Sequence, residues 1–352
     1  MTSFLKKERD KMISFESDYI TGAHPKLLQR LLETNEEALT GYGFDTYCVS
    51  AAEKIKAACE CPDADVFFLT GGTQTNAIVV TTMLEEYQGV ISATTGHIHA
   101  HEAAAVEYGS RKILPMPHNQ GKLNPASIRT YLEGLYADEA IEHMVYPGMV
   151  YISHPTEYGT LYTKQELTEL SALCREYKMH LFLDGARLAY GLMSQQTDVT
   201  LADIARLCDV FYIGGTKAGA LCGEAVVFTH GNAPAHFVNR IKKRGALLAK
   251  GRLLGVQFDT LFTDGLYFDI GRHAIDMAEK LEAVFAEKGY AFHIPSPTNQ
   301  KFVILTKEAL ERLRQHVAVT VWEWLDENRV VVRLATTWST REEDIETLKA
   351  LL

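Results

Sequence analysis

The sequence predicts an α/β domain built on a mostly parallel, seven-stranded sheet with helices on both faces, followed by a smaller C-terminal α+β domain. Three observations predict it. From about residue 66, short apolar runs alternate with longer stretches of helical patterning, the signature of strand–helix–strand crossovers. Those runs are rich in β-branched and aromatic residues, as strands covered on both faces are. After about residue 250 the alternation stops, and helices and strands mix on a smaller scale.

The elements follow in order. VFFLT is the first strand of the large sheet, and the helical pattern TQTNAIVVTTMLEEY follows it across two glycines. GVISAT, KILPM, MVYIS, HLFLDGA and DVFYIGG supply the next five strands. EAVVFTH comes after a loop too short for a helical crossover, so this last pair is expected to be antiparallel. Beyond residue 250 come the helix IDMAEKLEAVFAEKGY, the strand KFVILT, a helix around LERLRQ, the strand VVVRLA and a closing helix from REEDIETLKALL. The expected division is an N-terminal segment 1–20, a large domain 21–250 and a small domain 251–352.

The 352 residues are enough for one large core and a smaller one. A hydrophobic content of 47% with 23% charged residues places the chain among globular proteins. The formal charge, 35 minus 45 or −10, and the lack of a basic tract at either end argue against a nucleic-acid partner. The start, MTSFLKKERDKM, is charged where a signal peptide needs an apolar stretch. No apolar run approaches the ~20 residues that span a bilayer, so a cytoplasmic location without a membrane partner is expected. Six scattered cysteines, whose one close pair is C-E-C, lack zinc or redox spacing and read as reduced thiols.

In open α/β sheets, ligands bind beyond the carboxyl ends of the strands. Three features stand there. Gly71, Gly72 and Thr73 join the first strand to its helix, where bare amides at a helix start form an anion site; such glycines also serve turn geometry alone. Asp184 ends HLFLD with Arg187 three residues on, either an internal salt bridge or a carboxylate held for a ligand. Lys217 follows DVFYIGGT, and alone it reads equally as a solvated loop lysine. Together, a lysine for a Schiff base, a carboxylate to keep a pyridine nitrogen protonated and a helix start for a phosphate are what pyridoxal 5′-phosphate demands.

The chain resembles the low-specificity L-threonine aldolases of the β-eliminating lyase group, which are fold-type I pyridoxal-phosphate enzymes. The likeness runs in order through FESDYITGAHP, GYGFD, GGTQTN, HIHAHE, PTEYGT, FLDGAR, TKAGA and VVVRLATTWS. The resemblance implies that Lys217 is the Schiff-base lysine, that Asp184 pairs with the pyridine nitrogen and that Arg187 contacts the ring hydroxyl. Gly72, Thr73 and Thr216 would hold the phosphate, and His97 would stack on the ring. Arg333 would clamp the substrate carboxylate, with Arg252, Ser17, Asp18 and Tyr42 as further substrate-site residues. Glu157 in PTEYGT stands where relatives often carry a second histidine, leaving the base for the β-hydroxyl open among His97, Glu157 and water.

The implied activity is cleavage of L-threonine or L-allo-threonine to glycine and an aldehyde by a homodimer or homotetramer. The alternative within this chemistry is another pyridoxal-phosphate β-eliminating lyase or an aminotransferase. A rival from a different class is a metal-dependent hydrolase using His97, His99 and His101, which share one face on a strand; on a helix His97 and His101 meet. Ring stacking explains His97 without a metal, so no metal is expected.

Overall fold

The computed structural model describes residues 12–352, so most of the charged start lies outside the described residues. The chain enters through a two-residue strand, β1 (Ile13–Ser14), and then builds β2 (Asp65–Leu69), β3 (Gln88–Ala93), β4 (Lys112–Met116), β5 (Tyr146–Ser153), β6 (His180–Asp184), β7 (Val210–Gly214) and β8 (Glu224–Phe228). These last seven form one sheet in the order β2-β8-β7-β6-β5-β3-β4. The five strands from β7 across to β4 pair in parallel, whereas β8 is antiparallel to both of its neighbours. Six strands therefore point one way, and the expected antiparallel partner of β7 also pairs with β2.

The two faces of this sheet carry separate cores, because successive side chains alternate sides. Val150, Ile152, Leu181, Leu183, Phe211 and Ile213 belong to one core, capped by helices such as Lys164–Glu176 through Leu167 and Leu170. Met149, Tyr151, Phe182, Val210 and Tyr212 face the other, beneath the helix Gly72–Met83 and its Ile78, Val79 and Val80. Helices on both faces are what a parallel sheet requires.

The remaining strands are β9 (Phe292–Ile294), β10 (Gln300–Thr306), β11 (Val317–Ala318), β12 (Thr320–Trp324) and β13 (Arg329–Ala335). Four of them form an antiparallel sheet, β12-β13-β10-β9, while β11 pairs in parallel with β1. Phe15, just after β1, is buried in the core of this unit beside Leu281, Val303, Val332 and Leu348. The helix Leu266–Glu287 serves both cores: Leu266 to Ile275 pack with the large sheet, and Met277 to Phe285 with the small one. We propose that the domains divide within this helix, with the residues around β1 joined to the small domain.

Candidate active site

The six like-directed strands present their carboxyl ends at one edge of the large sheet. Strand β8 runs the other way, so its first residue, Glu224, arrives at the same edge, opposite Leu69 and Gly214. A cleft of about 300 Å³ opens there. Gly72, Thr73, His97, Glu157, Asp184, Arg187, Thr216 and Lys217 line it, joined by Tyr19, Ser153, Tyr212 and Glu224. Ser17, Asp18, Tyr42, Arg252 and Arg333 do not.

One end of the cleft suits an anion. The helix Gly72–Met83 starts at an extended Gly71 that offers no side-chain cap. Its amides at Gly72, Thr73 and Gln74 have no helical acceptor, and the helix dipole adds positive potential there. Thr216 stands at the same end, its Oγ1 accepting the Gly223 amide at 3.0 Å.

Lys217 owes its position to a tight loop between two fully buried strands. A Cβ on Gly215 would stand 2.8 Å from the Gly223 carbonyl oxygen, and Gly223 adopts φ +130, which L side chains rarely reach. The Tyr190 hydroxyl donates to the Lys217 carbonyl and fixes its backbone. Burial, reinforced by Arg187, pushes the Lys217 ammonium below its ordinary value, against the pull of Asp18, Asp184 and Glu224.

Asp184 is a saturated acceptor. Oδ2 receives the Tyr151 hydroxyl and, at 3.0 Å, the Asn76 amide; Oδ1 receives the Tyr212 hydroxyl and the Ala186 amide. Burial alone would raise its carboxyl, but His97 and these donors outweigh burial and hold it below the ordinary value. Asn76 also donates to Glu102 at 2.8 Å, and Glu102 lies 2.8 Å from His97 Nδ1, so one chain of contacts links His97 to Asp184.

The salt bridge considered between Asp184 and Arg187 does not form. Arg187 instead donates through Nε and Nη2 to both oxygens of Asp18, at 2.6 and 3.0 Å. Burial opposes ionisation of Asp18, yet the guanidinium outweighs it and holds the carboxyl at about 2. Asp18 thus acts behind Arg187 rather than in the cleft, and it also accepts from Asn299 at 3.0 Å.

His97 begins a single helical turn, His97–Ala100, which excludes the strand geometry for the three histidines. His101 meets His97 with ring centroids 5.7 Å apart, while His99 is exposed. Among the described residues no group of three or more His, Cys, Asp or Glu gathers in a geometry that could hold a metal ion. Glu157 Oε1 accepts the His97 amide at 3.0 Å and the Ser153 hydroxyl at 2.6 Å. Burial pushes the Glu157 carboxyl up, with the Ser153 bond opposing.

Arg333, on β13, is part-buried over the Trp322 ring, 5.7 Å from its centroid. Its Nη2 donates to the Glu16 carbonyl at 3.2 Å, while its Nε is buried without an acceptor. Ser17 Oγ is buried without a partner as well. Arg252 and Tyr42 stand apart from the cleft. The Arg252 guanidinium is spent on the carbonyls of Thr34 and, at 2.6 Å, Glu37. Tyr42 sits exposed at φ 62 beneath the Lys242 ammonium and borders a second cavity of about 240 Å³ with Phe44 and Val49.

The residues around the expected cofactor fit it: an uncapped helix start for a phosphate, an ionised carboxylate for a ring nitrogen and a buried lysine share one cleft. Sequence reasoning missed Glu224, Tyr151, Tyr212 and Asn76, and it weighed Glu102 only as a metal ligand beside the histidines, where the structure shows it holding His97. Glu224 has a readable signal, a lone carboxylate opening the apolar run EAVVF. The two tyrosines have none, since in apolar strands they look like core.

The comparisons agree with this geometry. Residues 14–308 match the family model described as Beta-eliminating lyase. A low-specificity L-threonine aldolase from a Pseudomonas species is 31% identical over 308 residues, spanning 87% of this chain and 88% of its own. A solved threonine aldolase structure from Leishmania major is 44% identical, with a TM-score of 0.92 over 96% of this chain and 99% of that one. An aspartate aminotransferase variant from Thermus thermophilus, 14% identical with a TM-score of 0.69 over 99% of this chain and 94% of its own, shares the fold alone. A family match across most of its length, together with these relatives, means that the chain belongs to the β-eliminating lyase family.

Proposed function

We propose that this lyase is a pyridoxal-phosphate-dependent aldolase that cleaves L-threonine, L-allo-threonine and related β-hydroxy-α-amino acids to glycine and an aldehyde. The observation that carries the proposal is the shared cleft of Lys217, Asp184 and the uncapped helix start at Gly72. The named activities of the Pseudomonas and Leishmania relatives support the substrate class.

When bound, pyridoxal 5′-phosphate supplies an electron sink for the negative charge left at Cα as the Cα–Cβ bond breaks. This chain's residues do the rest. The first-turn amides at Gly72 and Thr73, with Thr216, would hold the phosphate. Asp184, kept ionised by its donors, would hold a proton on the ring nitrogen in exchange for one of those donors, and His97, oriented by Glu102, would cover the ring face. Arg187, locked by Asp18, would meet the ring oxygen. Lys217, whose ammonium burial makes easier to deprotonate, would be the covalent tether. Arg333 does not line the cleft but lies close enough to Arg187 to be repelled by it, and a substrate carboxylate reaching past the lining would fill its acceptor-free Nε and an adjoining Nη as a fork. Glu157 takes the β-hydroxyl proton: burial makes it a stronger base, and the His97 amide and the Ser153 hydroxyl both donate to its Oε1.

Tyr42 and Arg252 stand apart from this chain's own cleft, so a substrate role for them would require a neighbouring copy, as in a homodimer or a homotetramer made of dimers. The apolar face around Tyr42, Phe44 and Val49, all exposed, supplies a surface for such pairing. No described helix is long and apolar enough to cross a membrane. A cytoplasmic setting suits the six cysteines, which are all unpaired.

Two measurements on one sample test the function: the visible spectrum after mixing with pyridoxal 5′-phosphate, and the products from threonine. Glycine plus acetaldehyde is the expected outcome. Ammonia plus a keto acid would transfer the chain to another lyase or aminotransferase reaction, and a colourless protein would end the cofactor assignment.

A further inference from the structure

Glu224 lines the cleft, yet the chemistry above gives it no task. It is 4% exposed at the start of β8. Its Oε2 accepts the Gly215 amide at 3.2 Å, and its Oε1 lies 2.8 Å from Thr216 Oγ1. Thr216 Oγ1 in turn accepts the Gly223 amide at 3.0 Å.

A hydroxyl has one hydrogen and two lone pairs, so the contacts can be counted. If Glu224 is ionised, the Thr216 hydrogen is spent on Oε1, and the hydroxyl meets the anion site with a lone pair, beside a second negative charge. If Glu224 keeps its proton, its O–H and the Gly223 N–H fill both lone pairs, and the Thr216 hydrogen is released from the carboxylate to point at a phosphate, with only the Gly223 carbonyl, a long 3.5 Å away, competing for it. The Gly215 bond survives in either case.

The surroundings favour the proton. Burial pushes the Glu224 carboxyl up to about 8, and Asp184 on β6 adds to the rise, against Thr216, Lys217 and Gly215. The other ionisable groups that sense its charge are Tyr212 on β7, Cys222 in the loop and Tyr267 on the helix Leu266–Glu287. Strand β2 faces it with Leu69, and the helix Arg252–Leu261 brings Phe258 against the flanking Gly215 and Gly223. A phosphate dianion adds like charge and raises the carboxyl further.

We propose that Glu224 is a positioning residue that works as a neutral carboxylic acid, donating to Thr216 Oγ1 so that the Thr216 hydroxyl donates to the phosphate of the cofactor. This rests on the pyridoxal-phosphate assignment. The sign follows: a group that must stay protonated supports binding below its folded pKa and withdraws support as pH rises through it.

The test is equilibrium dialysis of the cofactor-free protein against pyridoxamine 5′-phosphate, which carries the phosphate and has no aldehyde to bond to Lys217, from about pH 6.5 to about pH 9.5. Glu224→Gln reproduces the neutral acid, its carbonyl accepting from Gly215 and its amide donating to Thr216. Wild-type affinity is expected to fall by up to about tenfold per unit above about pH 8. Glu224→Gln is expected to match wild type at the low end and to lack that alkaline loss. Because Glu224 also acts on the Lys217 ammonium, wild type and Glu224→Gln are compared again in a Lys217→Ala background, which removes that titration from both profiles. Glu224→Ala is expected to bind about tenfold more weakly throughout; should it fail to fold, wild type against Glu224→Gln decides alone. Glu224→Gln binding tenfold more weakly than wild type at the low end, or falling with pH in step with it, overturns the inference. A wild type that forms no visible band with pyridoxal 5′-phosphate and does not bind the amine overturns the cofactor assignment, and this inference with it. A wild type that binds both compounds but shares its pH profile with Glu224→Gln overturns this inference alone.

Discussion

Lys217, Arg333 and Glu157 divide the proposed chemistry into steps that separate experimentally. Lys217→Ala is expected to lose the visible band formed with pyridoxal 5′-phosphate and its trapping by borohydride. Arg333→Ala removes charge-assisted hydrogen bonds worth roughly 1.5 to 3 kcal/mol, so KM for every amino-acid substrate should rise by about tenfold to a hundredfold with the cofactor band intact. Loss of the band together with substrate affinity would show that Arg333 supports the cofactor instead. Glu157→Gln keeps size and removes the base, and turnover should fall by about 10² or more. Burial raises the Glu157 carboxyl, and a base works ionised, so the acid limb of the wild-type rate should lie above the ordinary carboxylate range. That limb should vanish in Glu157→Gln; if it survives, the proton goes to His97 or to water.

At the scale of elements, Asp18 is a knot. It joins the turn following β1 to Arg187 ahead of the helix Leu188–Met193 and to Asn299 ahead of β10. Asp18→Asn leaves a buried guanidinium without its counter-charge, and urea unfolding should show a loss of roughly 3 to 5 kcal/mol. The Asp18 carboxyl is depressed in the folded state, so its stabilisation is complete above the ordinary value of 3.8 and disappears as pH falls through about 2. The variant should lack that part of the acid transition. The knot was not legible in the sequence, where Asp18 read as a substrate residue, because its partners lie 169 and 281 positions away. The seven strands of the large sheet were legible, since a strand buried on both faces is an unbroken apolar run. Strands β1 and β11, two residues each, exist only through each other, and β12, TVWEW, is half exposed with a register shift against β13. In the site, residues that end strands in a charge stood out, as Asp184 and Lys217 did. The tyrosines that hold Asp184 did not, because a buried hydroxyl shows its use only beside its acceptor.

For the whole molecule, the expected assembly is at least a dimer, read by sedimentation. Phe44, 62% exposed beside the second cavity, is the place to break it: Phe44→Asp should shift the protein toward monomer and lower turnover while the cofactor band persists. A fully active monomer would refute the assembly. The reversed strand β8 also governs the order in which the molecule is completed. Asp65 pairs with Phe228 and Leu69 with Glu224, so β2 leaves the ribosome long before its sheet partner exists. Pairings this distant along the chain form late and slowly. The helix that offers its amides to the phosphate follows β2 directly, and β2 joins the large sheet only through β8. The nascent chain therefore cannot capture its cofactor before the segment through Phe228 has emerged, and amides of β2 and β8 should become protected from hydrogen exchange in the same kinetic phase.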